Sequence, residues 1–412
     1  ASAGIYDTPE EELAAQHFAL TVFYEATGGD NWTNKTGWLG EAGTECSWYG
    51  ISCSGQKVTS INFPISVVNN MIVGNNLSGV IPSELAIFSE LTVLSLRGNQ
   101  LGGTIPESLW SLTNLLHLDL GVNQLSGSIS SNIGNLTKLT YLNLGGNTFS
   151  GTIPDELWQL TSLFSLYLYN NSLSGPIPSS IGNLTNLRTL NLGLNSFTGT
   201  IPDELWQLTS LNQLYLFSNS LSGTIPSEIG NLVNLWNLGL WSNQLSGAIP
   251  ATLGSLTQLR QLDLNSNQLS GPIPVELLQL TALNTLNLQN NLLTGLVPEG
   301  LADLPLLTSF YTSGNPGLLS PLAVPAERAA LIAFYNALGG DNWTNNSGWL
   351  GESGTECSWY GISCGNGRIT GINFPSTFVN GVLVGNNLVG SIPAEIGVFT
   401  ELTNISLNSN QI

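Results

Sequence analysis

The stretch "LTNLRTLNLGLNSFTGTIPDELWQ" occupies residues 184–207, and its phrasing returns along most of the chain. Its L-x-L core alternates apolar and polar residues, the period of a strand with one buried face. Asn195 follows where the chain leaves that strand. Gly199 permits a tight bend, and Pro202 fixes φ on the return and brings no N–H. Asn75, Asn99, Asn123, Asn147, Asn171, Asn195, Asn219, Asn243, Asn267, Asn291 and Asn315 stand 24 residues apart. Strands returning at that interval lie parallel and about 4.8 Å apart, so the coils stack into a solenoid of roughly 50 Å. A single coil cannot bury its own leucines; stacking does. A buried Asn at each turn donates and accepts along the stack, pairing backbone groups that the turn leaves open.

The phrase L-x-x-L-x-L-x-x-N-x-L-[ST]-G-x-[IV]-P runs, with small departures, from about Leu77 to Asn315. It resembles the leucine-rich repeat family in its plant-type subclass. The resemblance implies an α/β fold: a right-handed solenoid of 24-residue coils with a concave parallel sheet, and a second short strand and 3₁₀ turns opposite. It also implies an extracellular ligand-binding protein, since receptor ectodomains and inhibitors of pectin-degrading enzymes are familiar members.

Bulk properties narrow the function. Charged residues make up only 8% and the net charge is −19, against a usual charged share of about 25%. Eight Lys plus Arg cannot form the basic stripe that nucleic acid needs, nor bind an anionic membrane surface. No apolar run is long enough to span a bilayer. The opening "ASAGIY" fits the remnant of signal-peptide removal. Two His in the chain make a zinc site a poor reading of the cysteines. Disulfides Cys46–Cys53 and Cys357–Cys364 in an oxidising compartment fit better. Secretion or surface display is expected, with no cofactor and no metal.

Both ends of a solenoid expose leucines unless covered. Thr8, Pro9 and Glu11 spell a helix start, Leu13, Ala14, Phe18, Val22 and Phe23 follow at helical spacing, and Gly28 and Gly29 stop it. The Trp-rich, cysteine-bearing passage that follows resembles the N-terminal cap of secreted family members. "CSWYGISC" stands at 46–53 and again at 357–364, and Asn386 and Asn410 continue the register of Asn75 and Asn99 at an offset of 311. The expected layout is a cap over 1–63, a solenoid over 64–320, a second cap over 321–375 and the start of a second solenoid over 376–412. The linker at 313–327 carries three prolines, which predicts an extended joint. The second helix is expected to lie against the coil ending at Asn315.

The second array reaches Ile412 with no closing cap, so Leu388, Ile392, Ile396, Leu402 and Leu407 are expected to form a bare apolar edge. Leu402, Leu407 and Ile412 are the expected assembly edge, because an open edge recruits another chain. The leading expectation is a non-enzymatic scaffold or adhesion protein of tandem modules. It assembles head-to-tail into a fibre, with copies of itself or further modules as partners.

The alternative is a ligand-binding ectodomain or inhibitor. Outward positions of successive strands carry Tyr141, Tyr167, Tyr169, Tyr215, Phe217 and Trp241 among Asn, Gln and Asp. Flat rings beside amides suit a glycan or peptide, although aromatics are also good strand formers. Trp110, Trp158 and Trp206 recur every 48 residues and read as packing between coils, with a ligand-facing ladder as the sharper option. Ser95, His117 and Asp119 resemble a catalytic trio in composition only, without a nucleophile elbow. Asp155, Glu156, Asp203 and Glu204 sit opposite the sheet with no cleft to make them a glycosidase pair. Ordering of ice by a Thr/Asn ladder is a further class, but Thr152 and Thr200 are 48 residues apart and the ladder is interrupted. Candidate glycosylation sites are Asn31, Asn34, Asn76, Asn135, Asn170, Asn183, Asn342, Asn345 and Asn404.

Overall fold

The computed structural model describes residues 8–319, 325–352, 354–365, 368–379 and 382–412. The opening "ASAGIY" and Pro321 of the linker lie outside the described residues. The chain divides into two compact units, 1–245 with 261–264, and 246–260 with 265–412.

In the first unit, helix α1 (Pro9–Ala26) begins with the predicted capping box: Thr8 accepts from Glu11 N, and Glu11 accepts from Thr8 N. Its face of Ala19, Leu20, Phe23 and Tyr24 is buried, with Phe23 and Tyr24 packed among Trp32 and Trp38. The Cys46–Cys53 disulfide spans 5.5 Å between Cα atoms and leads into an antiparallel pair, Ile51–Ser54 with Lys57–Asn62. The latter strand starts the long parallel sheet. Val93–Ser95, His117–Asp119, Tyr141–Asn143, Ser165–Tyr167, Thr189–Asn191, Gln213–Tyr215, Asn237–Gly239 and Gln261–Asp263 follow, one per coil. The middle leucine of each strand after the first, from Leu94 to Leu262, is fully buried. Short strands opposite, such as Thr148–Thr152 and Ser172–Pro176, form a second parallel sheet. 3₁₀ turns such as Asp155–Gln159 join the two.

The Asn ladder performs as its chemistry requires. Asn147 Nδ2 donates to Leu120 O and Leu144 O at 3.0 Å, and its Oδ1 accepts from Leu125 N at 3.0 Å. One side chain thus serves three backbone groups on two successive coils, and it is itself buried.

The second unit repeats the plan. Thr285–Asn287 pairs with Ser309–Tyr311, and Leu292–Leu296 with Gly317–Leu319. The second cap follows, with helix α2 (Pro325–Ala337) and the Cys357–Cys364 disulfide. Arg368–Asn373 then pairs in parallel with Asn404–Ser406. The expectation that the second helix covers the coil ending at Asn315 needs correction. Instead, α2 packs on the 3₁₀ turn Ala394–Val398 of its own module, as α1 packs on Ser83–Ile87. A pocket lined by Thr312, Asn315, Gly354 and Ser358 lies beside Asn315. The reason is register: the cap's apolar helix face is already matched to the first turn of its own array.

Candidate ligand-binding face

Strand pairing aligns the outward positions of the first unit into columns. One runs His117, Tyr141, Ser165, Thr189, Gln213, Asn237, Gln261. The next runs Asp119, Asn143, Tyr167, Asn191, Tyr215, Gly239, Asp263. The same register, carried two residues further, aligns Gly121, Gly145, Tyr169, Gly193, Phe217 and Trp241. All six predicted aromatics stand on this face, half-buried.

Half-burial has a visible cause. Tyr169 and Phe217 occupy space left by a glycine of the preceding coil, and Trp241 lies over Gly239 of its own coil. A Cβ at Gly145 would stand 2.4 Å from the Tyr169 ring, and one at Gly193 would stand 2.6 Å from Phe217. A Cβ at Gly239 would stand 2.4 Å from Trp241 and 2.9 Å from Tyr215. The rings also meet one another: His117 stacks on Tyr141 at 4.2 Å, and Phe217 on Trp241 at 3.9 Å. Tyr215 Oη accepts from Asn237 Nδ2 at 2.9 Å.

A buried carboxyl stands at each end of the patch. Asp119 accepts from Gly121 N at 3.0 Å and faces Arg97 Nη1 at 3.7 Å. Asp263 accepts from Gln261 Nε2 at 2.6 Å. Burial pushes both carboxyls above their ordinary range. Burial also lowers His117, partly opposed by the nearby Asp119.

The catalytic trio does not assemble. Ser95 lies directly opposite Asp119, but His117 is stacked on Tyr141 and Asp119 is engaged by Gly121, Arg97 and Tyr141. The three side chains are therefore not wired as a relay. Trp110, Trp158 and Trp206 are buried, which rules out a ligand-facing ladder. Gly134 and Gly182 hold the same position in the intervening coils, where a Cβ would stand 2.7 Å from Glu156 and Glu204 respectively. Asp155, Glu156, Asp203 and Glu204 lie on 3₁₀ turns away from the sheet. Of the sequon asparagines, Asn34 and Asn345 are half-buried and the other seven exposed. Leu402 and Leu407 pack partly buried on the second cap's core, whereas Ile412 is exposed.

Sequence reasoning missed two apolar hairpins, Ser66–Val68 with Met71–Val73 and Thr377–Val379 with Val382–Val384. The signal was present: Asn69-Asn70 takes positive φ at both positions, a two-residue hairpin turn flanked by β-branched residues. Arg97, beside Asp119, was also missed.

These features define a leucine-rich-repeat solenoid with a preformed aromatic face. A leucine-rich repeat region model matches residues 71–225, and single leucine-rich repeats match 258–280 and 282–304. The leucine rich repeat N-terminal domain matches twice, at 13–54 and 324–365. The chain belongs to the leucine-rich repeat family, with an N-terminal cap domain present in duplicate. Among solved structures it is similar to the ectodomain of the Arabidopsis thaliana receptor kinase GASSHO1/SCHENGEN3 in complex with CASPARIAN STRIP INTEGRITY FACTOR 2. Identity is 30% and TM-score 0.67, covering 96% of this chain and 44% of that one. The Arabidopsis receptor kinase HAESA, in complex with the peptide hormone IDA and the co-receptor SERK1, is 32% identical with a TM-score of 0.57. That match covers 75% of this chain and 54% of HAESA. A plant ice-binding protein is 28% identical with a TM-score of 0.61, covering 76% of this chain and 98% of that one. The chain spans about half the length of the two receptor chains. No curated protein sequence matches it.

Proposed function

We propose that this chain is the ligand-binding part of an extracellular leucine-rich-repeat ectodomain. Tyr141, Tyr167, Tyr169, Tyr215, Phe217 and Trp241 form the face that recognises a peptide or glycan. The carrying observation is the seating of Tyr169, Tyr215, Phe217 and Trp241 against Gly145, Gly193 and Gly239, which supports a platform formed before any ligand arrives. Pre-organised aromatic surface at low entropy cost is what binding faces use. The receptor ectodomains that share the fold are bound to a peptide hormone in one case and to an integrity factor in the other, which supports ligand binding over a fibre scaffold. Two disulfides fit an oxidising compartment. The test is an array of peptides and glycans read with the wild-type chain and with Tyr167→Ala/Trp241→Ala. Ligands retained by wild type and lost by the variant support the reading; identical profiles overturn it.

Head-to-tail assembly through Leu402, Leu407 and Ile412 has weaker support, because the two leucines are already partly covered by their own module. A concentration-independent sedimentation coefficient would exclude it.

One observation favours a second reading, ice binding. The second sheet presents the exposed hydroxyls of Ser150, Thr152, Thr198 and Thr200, and a plant ice-binding protein shares the fold. Pro176 interrupts the Thr row between Thr152 and Thr200. Thermal hysteresis abolished by Thr200→Glu would favour this reading, and absence of hysteresis in the wild type would remove it.

A further inference from the structure

The second column has a rhythm that selects among ligands, a selection that rests on the ligand-face reading. Tyr167, Tyr215 and Asp263 stand at every second coil, with Asn191 and Gly239 between them. Two coils measure about 9.6 Å, twice the strand spacing of roughly 4.8 Å. An extended peptide repeats its side-chain direction every ~6.8 Å and slips out of phase at once. A polyproline-II helix repeats every three residues at ~3.1 Å each, about 9.3 Å, and keeps phase over three steps. Such a helix makes no internal hydrogen bonds, so its carbonyls need outside donors. Tyr215 accepts from Asn237, which leaves the Tyr215 O–H to donate towards a ligand.

Charge fixes the third step. Asp119 already faces Arg97. Asp263 is buried, and its carboxylate accepts from the neutral Gln261 amide rather than from a cation. A carboxyl pushed up by burial gains most from a positive group arriving beside it. The whole chain, at net −19, draws the same kind of ligand.

We propose that this face takes a polyproline-II segment of the form Pro-x-x-Pro-x-x-Arg, or its Lys equivalent. The prolines lie on Tyr167 and Tyr215, and the basic residue reaches Asp263. Tyr169, Phe217 and Trp241 form the wall alongside.

Fluorescence anisotropy with a labelled nonaproline–Arg–Arg peptide tests this. A Gly-Ser peptide ending in the same two arginines controls for charge, and unlabelled cellohexaose tests the glycan class. The expected result is saturable binding of the proline peptide, about tenfold weaker binding of the Gly-Ser peptide, and about tenfold loss in Asp263→Asn and in Tyr215→Ala. Tyr215→Phe keeps the ring and loses less. Should Tyr215→Ala fail to fold, Asp263→Asn and the peptide comparison decide. Equal binding of the two peptides, or an unchanged Asp263→Asn, overturns the proposal, as does no binding of the proline peptide. Cellohexaose binding that is sensitive to Tyr167→Ala, with no proline-peptide binding, overturns the proposal while leaving the ligand face intact.

Discussion

The ring of Phe217 lies on the indole of Trp241, centroids 3.9 Å apart and planes 6° from parallel. The two residues stand one coil apart, and Gly193 and Gly239 leave the room in which they lie. Sequence sets the spacing, strand pairing sets the register, and the missing Cβ atoms set the ring angle. The platform is a product of all three.

Restoring one Cβ should therefore disturb the platform without replacing any of its rings. Gly193→Val places atoms where the Phe217 ring now lies, 2.6 Å from the ideal Cβ. Overpacking of this kind costs about 1–3 kcal/mol. Urea denaturation should show that loss, and near-UV circular dichroism should show a weakened signal from the stacked pair.

The Asn ladder predicts a comparable effect from loss of a single hydrogen-bond acceptor. Asn147→Ala leaves Leu125 N without its acceptor, while Leu120 O and Leu144 O keep one donor each, from Asn123 and Asn171; a buried unpaired group costs about 1–3 kcal/mol. A loss of about 2 kcal/mol is expected in urea denaturation. The same substitution at exposed Asn183 should change stability by less than about 0.5 kcal/mol.

The two caps differ at two buried sites: Glu327 of the second, paired with Arg368, stands where the first has Gln16, and a carboxylate common to both has a different partner in each. Glu45 of the first cap meets His17 at 2.6 Å, while Glu356 of the second meets Arg328, which also lies over Trp359 at 5.3 Å. Arg328→Ala leaves Glu356 buried without its cation, and breaking such a pair costs about 3–5 kcal/mol. Limited proteolysis should then cut the second cap while the first survives. Arg328→Ala/Glu356→Gln should recover much of the resistance.

Asp263 predicts a pH effect of definite sign. Burial raises its pKa above the ordinary 3.8, so only between the ordinary and the raised value does the folded state hold a proton that the unfolded chain has released. Its contribution to stability is complete below that ordinary value and is lost as pH rises through the raised one. Asp263→Asn removes this group's share of the decline. Denaturation midpoints across the acid range should fall less steeply with rising pH in the variant than in the wild type.

Much of this was legible because each coil repeats one local solution. Asn147 sits where the 24-residue period puts it, and its hydrogen bonds follow from the turn. The burial of Trp158 was also readable, since Trp110, Trp158 and Trp206 recur every 48 residues opposite the sheet. Less legible was the depth of Asp119 and Asp263, which depends on how far Tyr141 and Gln261 lean over them. The hairpin around Asn69 and Asn70 was overlooked because its valines interrupt the repeat without breaking the register of Asn75. The position of α2 depended on which of two apolar surfaces it met, a choice that spacing alone does not contain.

Oxidative footprinting of the chain, free and saturated with the tightest ligand from the array, tests the binding face most directly. The account predicts that Tyr167, Tyr215 and Trp241 become protected together, while exposed Trp236 keeps its rate. Saturation with no change at those three rings would contradict it.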